Sequence, residues 1–177
     1  MNEIELRFPN EKDRTIVMEY LEEHYKIGEN SLNGAGGLDR LNDFDKWLEK
    51  IKNDLSEETI DKEIVPATLF LAIRKLDNKL VGMIQIRHRL NERLLAYGGH
   101  IGYGVRPLER RKGYAKQMLK LALEKCKELE IKKTLVTCDK DNIGSSRTIL
   151  ANGGKLENEL EEDGKIVQRY WINLEEW

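Results

Sequence analysis

The residues best placed to do chemistry stand where an apolar run gives way to a basic turn: Val105-Arg106-Pro107-Leu108-Glu109-Arg110-Arg111-Lys112-Gly113-Tyr114-Ala115. Helix N-termini favour acidic side chains because the dipole is positive there, yet this one begins with Arg110, Arg111 and Lys112. An anion at the turn removes the conflict. The unpaired N–H groups of the first turn bond to it, and the basic side chains add charge. Gly113 lets the backbone approach closely, and Ala115 keeps the following turn small. A pyrophosphate suits such a turn best. The competing reading is a solvated basic helix start with an incidental glycine.

For proton removal the candidates are His88 and His100, since imidazole titrates near working pH. On an extended strand His100, Gly102 and Gly104 share one face, and Ile101, Tyr103 and Val105 the other. The two glycines leave room for a ligand, or for a packing element with both histidines structural. A hairpin centred on residue 94 would pair His88 with His100. His24 reads as a helix-face residue, and Glu109 as a complement to the helix N-terminus or a base acting through water. Cys126 on an apolar helix face and Cys138 at a strand end read as core. There is no metal-ligand spacing, P-loop lysine motif or dinucleotide-binding fingerprint.

The elements that must position these groups are legible from periodicity. Ile4, Leu6 and Phe8 alternate with polar residues and mark a short strand. Residues 11–27 and 40–53 carry helical stripes, with Gly28 to Gly37 between them as a long glycine-rich loop suited to binding. Strands follow at 68–73, 80–87 and 99–105, the last closed by Pro107, and together they suggest an antiparallel meander. Residues 109–130 form the clearest helix, with Tyr114, Met118, Leu119, Ala122 and Cys126 on one face. A strand at 134–138, a helix at 143–152 capped by Gly153, and strands near 155–160 and 166–174 complete the chain.

Composition bounds the function classes. The 177 residues fit one domain at ~150 residues per domain. The 30 basic and 32 acidic side chains nearly cancel, which excludes a polybasic nucleic-acid binder. No apolar run approaches the ~18 residues of a membrane span, and the first residues lack the pattern of a signal peptide. The chain therefore reads as a cytoplasmic protein with no membrane or nucleic-acid partner. Charge is uneven along it: residues 1–66 hold 9 basic and 17 acidic side chains, net −8, and residues 67–177 hold 21 and 15, net +6. The basic half suits an anionic ligand. The acidic residues Glu19, Glu22, Glu23, Asp39, Asp43 and Asp45 would favour a cationic one.

Arg110-x-x-Gly113-x-Ala115 resembles the Q/R-x-x-G-x-G/A signature of the GCN5-related N-acetyltransferases (GNAT). It follows a Val-x-Pro strand end and opens a long amphipathic helix. Asp139-Lys140-Asp141-Asn142 closes the next strand, ahead of a short helix bearing Ser145. The element order also matches that superfamily, so the resemblance covers nearly all of 1–177. The segments His100-Ile101-Gly102-Tyr103 and Arg169-Tyr170-Trp171 are similar to a bacterial predicted-acetyltransferase branch.

The resemblance implies a single domain of mixed α+β class. Its central, mostly antiparallel twisted sheet has about six or seven strands, is flanked by about four helices, and splays between strands 4 and 5. It implies acetyl-CoA as co-substrate and no metal. Backbone N–H groups of 111–116 would hold the pyrophosphate, with Arg110, Arg111, Lys112, Gly113, Tyr114, Ala115 and Lys116 forming the turn. Val105, Asn142 and Ser145 would serve the pantetheine. The implied reaction is acetyl transfer to a primary amine of a small molecule or peptide, by direct attack in a ternary complex. A homodimer is compatible with it. Many relatives carry an acid tyrosine seven residues after the asparagine; here that position is Ile149. Tyr103, Tyr114 or Tyr170 could substitute, with His100 and Tyr103 the catalytic candidates. The missing tyrosine equally suits a non-catalytic acetyl-CoA-binding sensor or interaction module of the same fold.

Overall fold

The computed structural model describes residues 3–177. Its elements run β1 (Ile4–Arg7), α1 (Arg14–Lys26), α2 (Leu38–Leu41), α3 (Phe44–Asn53), β2 (Ala67–Arg74), β3 (Lys79–Arg87), β4 (Ile101–Val105), α4 (Tyr114–Glu128), β5 (Lys133–Asp139), α5 (Ile143–Ala151), β6 (Lys155–Glu162) and β7 (Lys165–Asn173). The strands form two antiparallel sheets, ordered β1-β2-β3-β4 and β5-β7-β6. This is the mixed α+β architecture expected, with its break between the fourth and fifth strands.

Both faces of the first sheet are covered, which is why β2 and β3 read as nearly continuous apolar runs. Ile84, Ile86 and Ile101 pack with Met118, Leu119, Ala122 and Leu123 of α4 on one side. Leu69, Leu71, Ile73 and Met83 pack with Val17 and Leu21 of α1 and Trp47 and Ile51 of α3 on the other. Ile149 is fully buried in the first of these clusters.

Three expected boundaries shift, each for a local reason. The helix expected over 40–53 is broken at Asn42, whose φ is +46°, and restarts at Asp43, whose side chain accepts the Lys46 N–H. The helix expected from 109 begins at Tyr114. Pro107 opens a 3₁₀ turn over Pro107–Glu109, then Arg111 and Gly113 take left-handed φ of +62° and +85°. The β3–β4 register pairs Ile86 with Ile101, and Arg87 N–H donates to His100 O (2.7 Å), so Arg87 rather than His88 lies opposite His100. A one-residue difference in register reverses the face of a side chain. His88 points away, and its Nε2 lies 2.7 Å from Thr68 Oγ1.

Candidate active site

β4 is paired on one edge and open on the other. Arg106 N–H donates to Val81 O (2.8 Å) at one end of its ladder with β3, and Arg87 N–H donates to His100 O at the other. Antiparallel alternation then turns the N–H groups of Tyr103 and Val105 away from β3, toward β5. β5 is not hydrogen-bonded along β4. The two strands touch at one end only: His100 N–H donates to Leu135 O (2.7 Å), and Leu135 N–H donates to His100 Nδ1 (2.9 Å). Gly99, with φ +67°, permits this closeness, since a Cβ there would lie 2.6 Å from Leu135 O. From this apex the strands diverge and leave a cleft of about 840 Å³.

The basic turn forms one wall of the cleft. Arg111, Gly113, Tyr114, Ala115 and Lys116 line it. Among the described residues, none of the six consecutive N–H groups from Arg111 to Lys116 has a protein acceptor; the next, Gln117 N–H, bonds to Gly113 O (3.3 Å). A run of outward N–H groups at a helix N-terminus is an anion cradle. A Cβ at Gly113 would meet nothing within 4 Å, so this glycine serves the left-handed turn and the open approach to it.

The side chains of the turn divide the work differently from expectation. Arg110 lines the cleft, but its guanidinium is already paired: it donates two bonds to Glu29 (2.7 Å each), and its Nε donates to Val105 O (3.1 Å). Lys112 turns to Glu109 (3.0 Å) and does not line the cleft. Arg111 and Lys116, exposed and without a carboxylate within 4.0 Å among the described residues, are the free cations of this wall. Glu109 is buried, and although burial alone would raise its carboxyl, Lys112, Lys79 and Arg74 hold it down at about 2. It is therefore an anchor for the turn and not a base.

The far wall is built from β5 and α5. Asn142, which lines the cleft, caps α5 by accepting the Ser145 N–H (3.1 Å). Tyr103 reaches across from β4, and its hydroxyl lies 2.7 Å from Ser145 Oγ. Burial pushes that phenol up to about 12. Ile149 packs in the core with its side chain against Gly154, and the Tyr103 hydroxyl meets α5 one turn earlier, at Ser145.

His100 is not placed as a base. It is buried, its Nδ1 accepts the Leu135 N–H, and the proton therefore sits on Nε2. Burial and the nearby Arg87 guanidinium push its imidazole down to about 4. It ties β4 to β5 at the apex and does not line the cleft. The glycines beside it admit the chain: a Cβ on Gly34 would lie 2.5 Å from Gly102 O, and one on Gly104 would lie 3.0 Å from Asn33 O. His24 enters the site instead. It lines the cleft, its Nδ1 lies 2.8 Å from Glu29 Oε2, and its buried Nε2 has no partner among the described residues. This pairing was invisible in sequence because Glu29 lies in the loop, past the end of α1. Cys138 also lines the cleft, with burial pushing its thiol up, whereas Cys126 is core.

The acidic residues of the N-terminal half are mostly engaged elsewhere. Glu23 pairs with Arg106, Asp45 with Arg14 (2.6 Å), and Asp43 caps α3. Of the six singled out, only Asp39 lines a cavity, a second one of about 360 Å³ beyond the 32–37 loop. Among the described residues there is no cluster of three or more His, Cys, Asp or Glu able to hold a metal, and no helix long and apolar enough to cross a membrane.

Comparison with known proteins agrees with this geometry. No curated protein matches the sequence. Among solved structures, Mycobacterium smegmatis RimJ in complex with CoA disulfide superposes with a TM-score of 0.73 at 17% identity, over 98% of this chain and 83% of that one. The ribosomal-protein-S5-alanine acetyltransferase of Vibrio fischeri gives 0.71 at 14%, over 100% and 96%. The microcin C7 self-immunity acetyltransferase MccE, in complex with acetyl-CoA and AMP, gives 0.69 at 18%, over 98% and 93%. At these identities the likeness is one of fold. The sequence itself matches the acetyltransferase (GNAT) family model over residues 39–150, which takes in β2 to β5, the basic turn and nearly all of α5, and the chain belongs to that family.

Proposed function

We propose that the protein is an acetyl-CoA-dependent N-acetyltransferase acting on a primary amine of a small molecule or peptide, with 1–177 as one catalytic unit. The observation that carries this reading is the run of six unpaired N–H groups at the head of α4, set beside the open edge of β4. The residues present fit the donor: Arg111 to Lys116 for the pyrophosphate, the Val105 and Tyr103 backbone and the Asn142 amide for the pantetheine arm. Acetyl-CoA supplies an activated thioester.

In a ternary complex the neutral amine bonds to the thioester carbon, and the C–S bond breaks. The chain's part is to orient both partners along β4 and to meet developing oxyanion charge with the strand-edge N–H of Tyr103 or Val105. The acetylated nitrogen gives up one proton to water, and the departing thiolate takes one up. Tyr103, whose hydroxyl lies beside Ser145, is assigned to donate toward the departing sulfur. A thiol of ordinary pKa about 8.5 needs modest help of this kind. His24, held by Glu29, is the cleft histidine with a free ring nitrogen. Of the six acidic residues read as favouring a cationic acceptor, Asp39 lines the smaller cavity, together with Asp54 and Glu63.

The test is calorimetry with acetyl-CoA, CoA and ATP, followed by thiol release across an amine panel. Micromolar acetyl-CoA binding with far weaker ATP, then amine-dependent release of CoA, is the expected result. Tight acetyl-CoA binding with no release on any amine would favour the sensor reading. No binding would remove the donor site.

A further inference from the structure

One charge in the molecule has no counterion where it needs one. The arginines that are not exposed to solvent are Arg7, Arg74, Arg87, Arg106 and Arg169. Four of them have a carboxylate within 4.0 Å: Asp13, Asp77 with Glu109, Glu23, and Glu157 respectively. Arg87 has none among the described residues. Its Nη1 donates to Gly98 O (3.2 Å) and Gly99 O (3.0 Å), and its Nε and Nη2 have no acceptor among the described residues. Those nitrogens are not sealed in the core, since they are absent from the buried unpartnered atoms. A half-buried cation with idle donors is costly unless something anionic meets it. Burial alone already pulls its guanidinium down.

Its position says what that anion is. Arg87 lines both cavities, the cleft and the smaller one beyond the 32–37 loop. Nη2 would lie 3.5 Å from a Cβ at Gly102, one residue from the Tyr103 edge of the cleft. Arg87 shares the β3 face of Met83 and Gln85, the side of the sheet that carries α1 and the loop, opposite to α4. It also stands opposite His100 at the closed end of the V, and the anion cradle begins beyond the other end of β4. At ~3.3 Å per residue, the strand alone separates the two by more than 10 Å. The pyrophosphate and Arg87 therefore need different anions.

Building on the acetyltransferase reading above, we infer that Arg87 is a specificity-determining residue that holds a carboxylate of the acceptor, so that the preferred substrate is an amino acid whose amine lies a few bonds from that carboxylate. The guanidinium presents Nε and Nη2 as a fork suited to two carboxylate oxygens. Arg87 lines the same cleft as Tyr103 and Val105, so a carboxylate held there leaves the attached amine in that cleft. A peptide N-terminus, with no carboxylate near its nitrogen, would leave the fork unfilled.

The experiment compares matched acceptors with acetyl-CoA as donor: L-amino acids, their carboxamides and the corresponding decarboxylated amines. Wild type should prefer the carboxylates in kcat/KM by at least about 30-fold. Arg87→Gln should collapse that ratio toward one through KM, and Arg87→Lys should restore part of it. Arg87 also holds the Gly98 and Gly99 carbonyls, so a merely structural role would lower all three classes together and leave the ratio intact; that result overturns the inference. A parallel arm with succinyl-CoA asks whether the carboxylate belongs to the acyl group. An Arg87-dependent preference for succinyl over acetyl donor, with acceptors indifferent, overturns the inference as stated. Transfer confined to uncharged amines would sink it and leave the acetyltransferase reading standing, whereas acetyl-CoA binding without transfer to any amine would sink both.

Discussion

The turn at 110–113 and the loop at 28–37 meet at one ion pair, Arg110 with Glu29, and both depend on glycine, but for opposite reasons. Gly113 faces open space: a Cβ there would touch nothing, and the residue is needed for its left-handed φ and for a ligand's access. Gly34 faces the protein: a Cβ there would lie 2.5 Å from Gly102 O and 2.6 Å from Tyr103 Cα. One glycine keeps a surface open for a ligand, and the other lets the chain itself fill the space over β4. In the reading proposed above, the donor side uses mainly backbone N–H groups at a helix start. The acceptor side is built from side chains, Arg87 and His24 among them, under a packed loop.

Substitutions should separate the two glycines. Gly34→Val should have the largest effect. It combines a disfavoured φ with a clash against backbone, and should destabilise the fold by roughly 2–4 kcal/mol, read as a lowered denaturation midpoint. Gly113→Glu should do the reverse: acetyl-CoA affinity falling by about 100-fold or more, from bulk and negative charge at the cradle, with a strain cost of only ~1–2 kcal/mol. If the two variants lose stability alike, the contrast is wrong. Tyr103→Phe should lower kcat roughly 10- to 100-fold while moving the acetyl-CoA KM much less, if its hydroxyl serves the departing sulfur; an unchanged kcat assigns that hydroxyl to Ser145 alone.

Smaller effects come from the ionisable groups around the two regions. Glu109 is depressed in the fold, so the stability it contributes is complete above its ordinary value of 4.5 and fades as pH falls toward about 2. Glu109→Gln should therefore be less stable than wild type near pH 7, and the gap should narrow in acid unfolding below pH 4.5. His100 adds a limb of its own. Its imidazole, near 4 in the fold against 6.5 ordinarily, makes wild type lose stability as pH falls through that window. The least effect should come from Glu29→Gln. Arg110 and Glu29 are both more than a third exposed, a pairing worth about 1 kcal/mol or less. Acetyl-CoA affinity should move by less than about fivefold.

Much of the turn and of the helices beside it was legible in the sequence because their signals are local. Pro107, Gly113, the stripe from Tyr114 to Cys126 and the cap at Asn142 each act within one or two turns of chain. The order of elements followed from the same patterns, whereas the opening between β4 and β5 came only from the family resemblance. What was not legible depends on distance or on register. Arg110 finds Glu29 across 81 residues, so nothing near it in the chain reveals that its guanidinium is already paired. A hairpin centre misplaced by half a residue exchanged Arg87 for His88 opposite His100, and with it the identity of the polar group over the acceptor cavity. His24 looked like a helix-face residue because its partner lies beyond the end of its own helix.

The central claim is that the N–H groups of residues 111–116 hold the donor. It is tested most directly by titrating ¹⁵N-labelled protein with acetyl-CoA and following each backbone amide. Saturable binding is expected, with the largest shifts at Arg111 to Lys116 and a second, smaller set at Tyr103 and Val105. Saturable binding that leaves the amides of 111–116 unmoved, or no binding at all, would contradict it.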